Sequence, residues 1–303
     1  GSAGLIGAVC VGARIGRFEP DGSVNPIPGH SSTLVTLGAF LLWFGWYGFN
    51  VGSVQRIVGL PGDPGSPYLN IQRVAVNTTL AAASSALVSL TFVRVKDGIF
   101  DLVTCLNGLL AGLVSITAGC MVVEPYASVI IGSVGAFVYC FFSWLLLWLQ
   151  IDDPLEAFPI HGGVGGWGLI ATGLFATSWG VAEAGFNSEF FGLFYGGGGK
   201  LLGANIIALL SVVTWTIALL GPFFFILRIT GILRIPYEEE MRGNDFAKHG
   251  GEAYTGMDKI KRQVVAHEEY DNPDDNQLWD NELAAEDKLD EVDVEEKDVE
   301  AEA

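Results

Sequence analysis

Residues 150–168 read QIDDPLEAFPIHGGVGGWG, an acidic turn broken by Pro154 that runs into an apolar, glycine-studded segment. From Ala157 to Ala182 the only acid, base or histidine is His161. An apolar stretch of this length is a membrane-span candidate, and an ionisable side chain within one is a functional candidate by default. Counting nine helical residues from Asp152 at about 1.5 Å each places His161 roughly 13 Å in, near the midplane of an apolar core about 30 Å thick. Two readings of that histidine stand: a proton-handling group, or a neutral imidazole satisfied by a neighbouring helix. Gly162 and Gly166 form a small-xxx-small pair that lets another helix come close.

The rest of the chain fits a membrane setting. Half of its 303 residues are hydrophobic, 40 are glycine, and the mean hydropathy is +0.42, which describes a polytopic membrane protein. The net charge of -18 is unevenly spread: residues 1–237 hold nine Lys/Arg against eleven Asp/Glu, and residues 238–303 hold seven against twenty-three. A near-neutral membrane body is thus followed by an acidic extension. The four cysteines, Cys10, Cys105, Cys120 and Cys140, lie in or beside apolar runs without Cys-x-x-Cys or His at ligand spacing, so they read as small hydrophobes and no metal is expected. No cofactor and no nucleic-acid partner is expected either.

Segments 33–54, 72–93, 102–122, 127–149, 158–179 and 203–228 are each long and apolar enough to span. The first twelve residues are apolar but too short to span and lack signal-peptide features; they read as the second half of a truncated helix, and the chain as a carboxyl-terminal fragment. The expected fold is all-α, a transmembrane helical bundle over residues 1–232, with a tail over 233–265 and an acidic, disordered segment over 266–303. Arg14, Arg17, Arg94, Lys96, Arg228 and Arg234 flank one side of the spans, and Arg56, Arg73 and Lys200 the other. That bias puts the tail and the Asp152 turn in the cytosol.

Two motif matches fail. Tyr195–Lys200 suggests a phosphate loop, but Phe194 stands where Gly is required and Leu201 where Ser or Thr is; a flexible outer loop is the reading. Asn77-Thr78-Thr79 fits a glycosylation acceptor but falls within a span.

The first full span carries a second constellation. Leu42, Trp46, Phe49 and Ser53 are spaced to share one helical face, with Ser53 near the outer end and Trp46 about 10 Å deeper. A hydroxyl acceptor at the mouth with aromatic faces beneath it suits a small cation that donates hydrogen bonds. The same stripe also fits ordinary helix packing.

Together the stretches Gly12-Ala-Arg-Ile-Gly-Arg-Phe18, Trp43-Phe-Gly-Trp-Tyr-Gly-Phe-Asn50 with Gly52-Ser53, Asn107 to Leu113, Ile116 to Cys120, Val123-Glu-Pro125, Asp152-Asp-Pro154, His161-Gly-Gly163, Leu233-Arg-Ile-Pro236 and His249-Gly-Gly251 resemble the ammonium transporters, the Amt/Mep/Rh superfamily, most closely the plant and algal Amt type. The resemblance covers about the first 255 residues. It implies an eleven-helix fold, homotrimeric in the plasma membrane, with one pore per subunit. This chain would supply the end of helix five through helix eleven. It implies that Ser53 is the outer ammonium-binding serine, that Trp46 lines the pore with Leu42 and Phe49 beside it, and that His161 is the second of twin pore histidines, the first lying upstream of Gly1. Residues Glu238 to Tyr254 resemble the family's regulatory tail, where Asp245, His249 and Gly250 would dock against the pore and a neighbouring subunit. Ala247 stands where many plant members carry a phosphorylated threonine, and Thr255 is nearby.

The implied mechanism is recruitment of ammonium at Ser53, deprotonation, and passage of ammonia along the imidazoles. A bare cation at mid-membrane is costly, whereas an imidazole, with an ordinary pKa of about 6.5, has both protonation states within reach. An ammonium sensor using the same pocket is the alternative. An intramembrane enzyme would need a second catalytic group at depth, and none accompanies His161 in these spans.

Overall fold

The structure, a computed structural model, describes residues 1–55 and 67–251. The expected acidic segment 266–303, Thr255 and Arg56 lie outside the described residues. The chain divides into two units, Gly1–Ile235 and a segment from Pro236 onward.

The first unit is helical throughout its regular structure: α1 Ser2–Val11, α2 Ser32–Gly52, α3 Pro67–Asp97, α4 Leu102–Thr117, α5 Pro125–Trp148, α6 Val164–Phe175, α7 Ser178–Glu183 and α8 Lys200–Ile229. Local chemistry sets the starts. Ser31 Oγ accepts from the Leu34 amide at 3.2 Å, Asp101 from Thr104 at 2.7 Å and Thr177 from Gly180 at 3.1 Å, each satisfying an amide the helix leaves orphaned. Pro125 opens α5, where its missing N–H costs nothing.

Among the described residues four helices are long and apolar enough to cross a membrane: Ser32–Gly52, Asn70–Asp97, Pro125–Trp148 and Lys200–Ile229. The other two segments expected to span, 102–122 and 158–179, are each built of a shorter helix with further turns. α4 is a 16-residue helix followed by turns. The segment expected over 158–179 is interrupted: a wide, π-helical turn occupies Phe158–Gly163, α6 ends at Phe175, and Ala176 is extended before α7 begins. The Gly192 amide donates to the Ala176 carbonyl at 2.7 Å, so the break is tied down by the chain that follows it. The glycine loop before α8 is likewise tightly folded where a flexible loop was expected: the Gly197 amide donates to Gly192 O at 3.1 Å, and a Cβ at Gly197 would lie 2.0 Å from Phe191 O.

The core lies where α3, α4, α5 and α6 meet, around Val74, Ala81, Ile116, Val123, Ile131 and Ala171. Small residues let these helices touch. A Cβ at Gly112 would sit 2.3 Å from the Ala81 carbonyl oxygen, and one at Gly132 would meet the same oxygen at 2.3 Å. Between apolar helices, close backbone approach of this kind supplies the packing that hydrophobicity cannot. By contrast α1 and α8 bury no residue, and α2 buries only Ala39 and Asn50. Asn77 is fully buried, its amide donating to Cys120 O at 2.8 Å and Val123 O at 2.9 Å, which closes it to glycosylation. Of the cysteines only Cys120 is buried; the other three are partly exposed.

Candidate functional site

α2 has two different faces. On one, Tyr47 Oη meets Thr79 Oγ1 at 2.6 Å and Asn50 Nδ2 donates to Thr78 Oγ1 at 2.9 Å, pinning the helix to α3. On the other, Leu42 is 49% and Phe49 60% exposed, and Ser53 is exposed at the helix end. Among the described residues the stripe is thus largely open at Leu42, Phe49 and Ser53, while Trp46 packs against the cluster of Ala82, Leu109 and Leu113. Ser53 Oγ donates to the Phe49 carbonyl at 2.7 Å; with its proton so used, its lone pairs are left as acceptors. Trp46 sits half-buried between the two faces, its ring 5.9 Å from that of Phe49 at an interplanar angle of 51°. Its Nε1 donates to Thr117 Oγ1 at 2.9 Å, and Thr117 in turn donates to the Leu113 carbonyl at 2.8 Å. Thr117 was visible in sequence only as part of a motif; nothing local marked it as the residue that aims the indole.

His161 lies in the wide turn before α6. The helical path of nine residues from Asp152 is not what forms. Pro154 and Leu155 make a turn, Glu156 adopts φ 54, and helical geometry starts only at Ala157. The helical distance to His161 is then about 6 Å from Ala157 in place of roughly 13 Å from Asp152. Within the turn Pro159 has no N–H, and the Val164 amide reaches back five residues to the Pro159 carbonyl. Turns of this type are frequent at functional sites. The imidazole is exposed, and no hydrogen-bond partner holds it among the described residues. The glycines around it serve differently from the expected pair: a Cβ at Gly163 would lie 2.2 Å from the Phe142 ring and one at Gly168 2.8 Å from Ser115 O, while Gly166 meets only Leu209 at 3.4 Å. On the other side Gly1, at the start of α1, lies against the Gly162 backbone, where an added Cβ would stand 2.0 Å from the Gly162 nitrogen.

The three acids ahead of His161 divide their work. Asp152, buried, accepts from Arg14 Nε at 2.7 Å, Arg14 Nη2 at 3.0 Å and the Arg14 amide at 3.0 Å, with Arg17 Nε 3.4 Å away. Burial raises its pKa, but the Arg14 hydrogen bonds and the charges of Arg14 and Arg17 outweigh that and hold it below the ordinary carboxylate value. Asp153 Oδ2 accepts from the Phe158 amide at 2.7 Å and caps the wide turn. Glu156 accepts from Asn107 Nδ2 at 2.7 Å, and from the Tyr139 and Ser143 hydroxyls. In sequence Glu156 is only part of the acidic turn, because its partners lie 49, 17 and 13 positions away.

The α2 stripe and His161 stand on separate elements, and α4 supports both. Thr117 at its end holds Trp46, and Asn107 holds Glu156. Ten residues of one helix, about 15 Å, separate the two attachments.

In the second unit α9 Tyr237–Arg242 and α10 Asn244–His249 are linked by Lys248 Nζ to Glu239 Oε2 at 2.7 Å. Asp245 lies in the first turn of α10, where an acid complements the helix dipole. The His249-Gly-Gly run ends it: Gly250 is left-handed at φ 79, and the Gly251 amide donates to Asp245 O at 3.2 Å.

A bundle of apolar helices, several of them long enough to cross a membrane, defines a polytopic membrane protein. Comparison with known proteins gives the family: the model of the Ammonium Transporter Family matches residues 1–254, and the chain belongs to that family. It is 48% identical over 259 residues to ammonium transporter 1 member 1 of Solanum lycopersicum, covering 84% of this chain and 53% of that protein. It is 47% identical over 264 residues to ammonium transporter 1 member 2 of Arabidopsis thaliana, covering 86% of this chain and 51% of that protein. Among solved structures it resembles a sensor Amt protein, with a TM-score of 0.70 at 32% identity over 82% of this chain and 56% of that one. It also resembles Mep2 of Candida albicans, with a TM-score of 0.68 at 29% identity over 78% of this chain and 50% of that one. The chain spans about half the length of the curated relatives it matches.

Proposed function

We propose that the protein of which this chain is part moves ammonium across the plasma membrane as a homotrimer embedded in lipid, with the tail on the cytosolic side. Ammonium is taken up at Ser53, whose lone pairs accept an N–H, with Phe49 and Trp46 supplying aromatic faces. It gives up its proton and passes as ammonia by Leu42 and His161, which handles the proton. In the tail, Asp245, His249 and Gly250 act in regulation. The observation that carries this reading is the pairing of an exposed hydroxyl-aromatic stripe on α2 with an exposed imidazole in the wide turn, both attached to α4, in a chain of this family.

The test is uptake of labelled methylammonium by the complete protein and its His161→Ala variant. A fall in rate, or loss of discrimination against potassium, is expected; unchanged rate and selectivity would overturn the role of His161. A sensing role draws support from the likeness to a structure described as a sensor Amt protein. Electrophysiology in ammonium gradients separates the two, since a sensor using this pocket carries no flux.

A further inference from the structure

The Glu156 carboxylate is the acid nearest His161 in sequence, and the mechanism above makes no use of it. It also ties the start of the wide turn to the rest of the bundle, through hydrogen bonds to α4 and α5. Its two oxygens receive donors from two helices: Asn107 of α4, and Tyr139 and Ser143 of α5. Tyr139 is almost wholly buried, at 2% exposed. Three donors around one carboxylate hold it in a single position.

The backbone makes that position matter. Glu156 has φ 54, an uncommon conformation for a residue with a side chain, and one that persists only when its surroundings hold it. From there its carbonyl accepts the Ile160 amide at 3.1 Å, and its amide donates to the Asp153 carbonyl at 3.0 Å. Glu156 is thus the last residue of the acidic turn and the first acceptor of the helix that carries His161. Two residues further on the chain enters the wide turn, whose alternative is a regular α-helix with each later side chain rotated to a new direction. Below His161, Gly163 leaves no room against Phe142 and Pro159 and Ile160 are buried, so the turn is packed along its length and Glu156 fixes where and at what angle it starts.

We propose that Glu156 is a positioning residue for His161: anchored by Asn107, Tyr139 and Ser143, it sets the rotation of the wide turn and so the direction in which the imidazole points. Its transport consequence rests on the reading above, while its geometric consequence does not.

The experiment uses the complete protein in lipid vesicles, with histidine labelled with nitrogen-15, and compares wild type with Glu156→Gln, Asn107→Ala and Ser143→Ala at equal incorporated protein. Glu156→Gln is expected to lower the maximal rate of methylammonium uptake at least tenfold with less than a twofold change in half-saturating concentration. Asn107→Ala and Ser143→Ala, which keep the carboxylate and remove one donor each, are expected to give smaller losses of the same kind and remain readable if Glu156→Gln does not fold. Added to His161→Ala, Glu156→Gln is expected to cost nothing more, because a residue acting through the imidazole has no effect once it is gone. The His161 ring nitrogen resonances are expected to shift in all three variants and to stay put in Glu189→Gln, a substitution in an exposed loop. An unchanged maximal rate, an equal further loss in the His161→Ala background, or unmoved His161 resonances would each overturn the proposal. Should wild type take up no methylammonium, the transport reading falls by itself, and the resonances still decide whether Glu156 positions the ring.

Discussion

Trp46 of α2 and Thr117 of α4 are joined side chain to side chain, the indole Nε1 donating to the threonine Oγ1 at 2.9 Å. The contact fixes the rotation of the ring that lies 5.9 Å from Phe49. Thr117→Val keeps the shape and removes the acceptor. With a hydrogen bond worth about 1 kcal/mol, the half-saturating concentration of methylammonium should rise about fivefold, and Thr117→Ser should restore it. Uptake curves for the three proteins check this.

Ser53 donates to its own helix and offers only lone pairs outward. A hydrogen bond from a charged donor is worth about 1.5–3 kcal/mol. Ser53→Ala should therefore raise the half-saturating concentration about tenfold or more and leave the maximal rate near its original value. An effect confined to the maximal rate would contradict the assignment.

Gly112 of α4 faces the Ala81 carbonyl of α3, where an added Cβ would stand 2.3 Å away. Backbone is the obstacle, so no side chain can swing aside. Gly112→Ala should destabilise the bundle by about 3 kcal/mol and lower its unfolding temperature in detergent. Gly203→Ala on α8, where an added Cβ meets nothing within 4 Å among the described residues, should leave stability unchanged or slightly raised, as alanine favours a helix.

Asp152 offers a pH signature. Its folded pKa lies below the ordinary carboxylate value because Arg14 and Arg17 outweigh its burial. The unfolded chain therefore binds the proton more readily, and the stabilisation is present above about pH 4. It is lost as the pH falls from there through the lower folded value. Asp152→Asn should lower the unfolding temperature at pH 6, and the gap to wild type should close toward pH 2. A gap that persists unchanged in acid would show that the ion pair is not its source.

The site was legible in sequence to the extent that its residues were marked locally. His161 stood out because no acid or base shares its apolar segment, and Ser53, Phe49 and Trp46 because their spacing puts them on one helical face. Thr117 and Glu156 were not marked, although each anchors one of those features. Their partners lie 71 and 49 residues away, and a threonine or a glutamate in isolation says nothing about which distant helix it meets. The path to His161 was not legible, because a helix was extended through Pro154, where the chain instead turns and helical geometry begins at Ala157.

What the sequence determined by itself is the membrane class, the approximate position of the apolar segments and the membership of a family, since composition, length and short motifs are properties of the chain read in order. Tertiary structure alone decided which face of each helix is packed and which is open. A helix that is apolar all round carries no periodic signal of its buried side. The direction of that side is set by where small residues and hydrogen-bonding groups on other helices meet it: Ala81 against Gly112, Thr117 against Trp46, and Asn107, Tyr139 and Ser143 around Glu156.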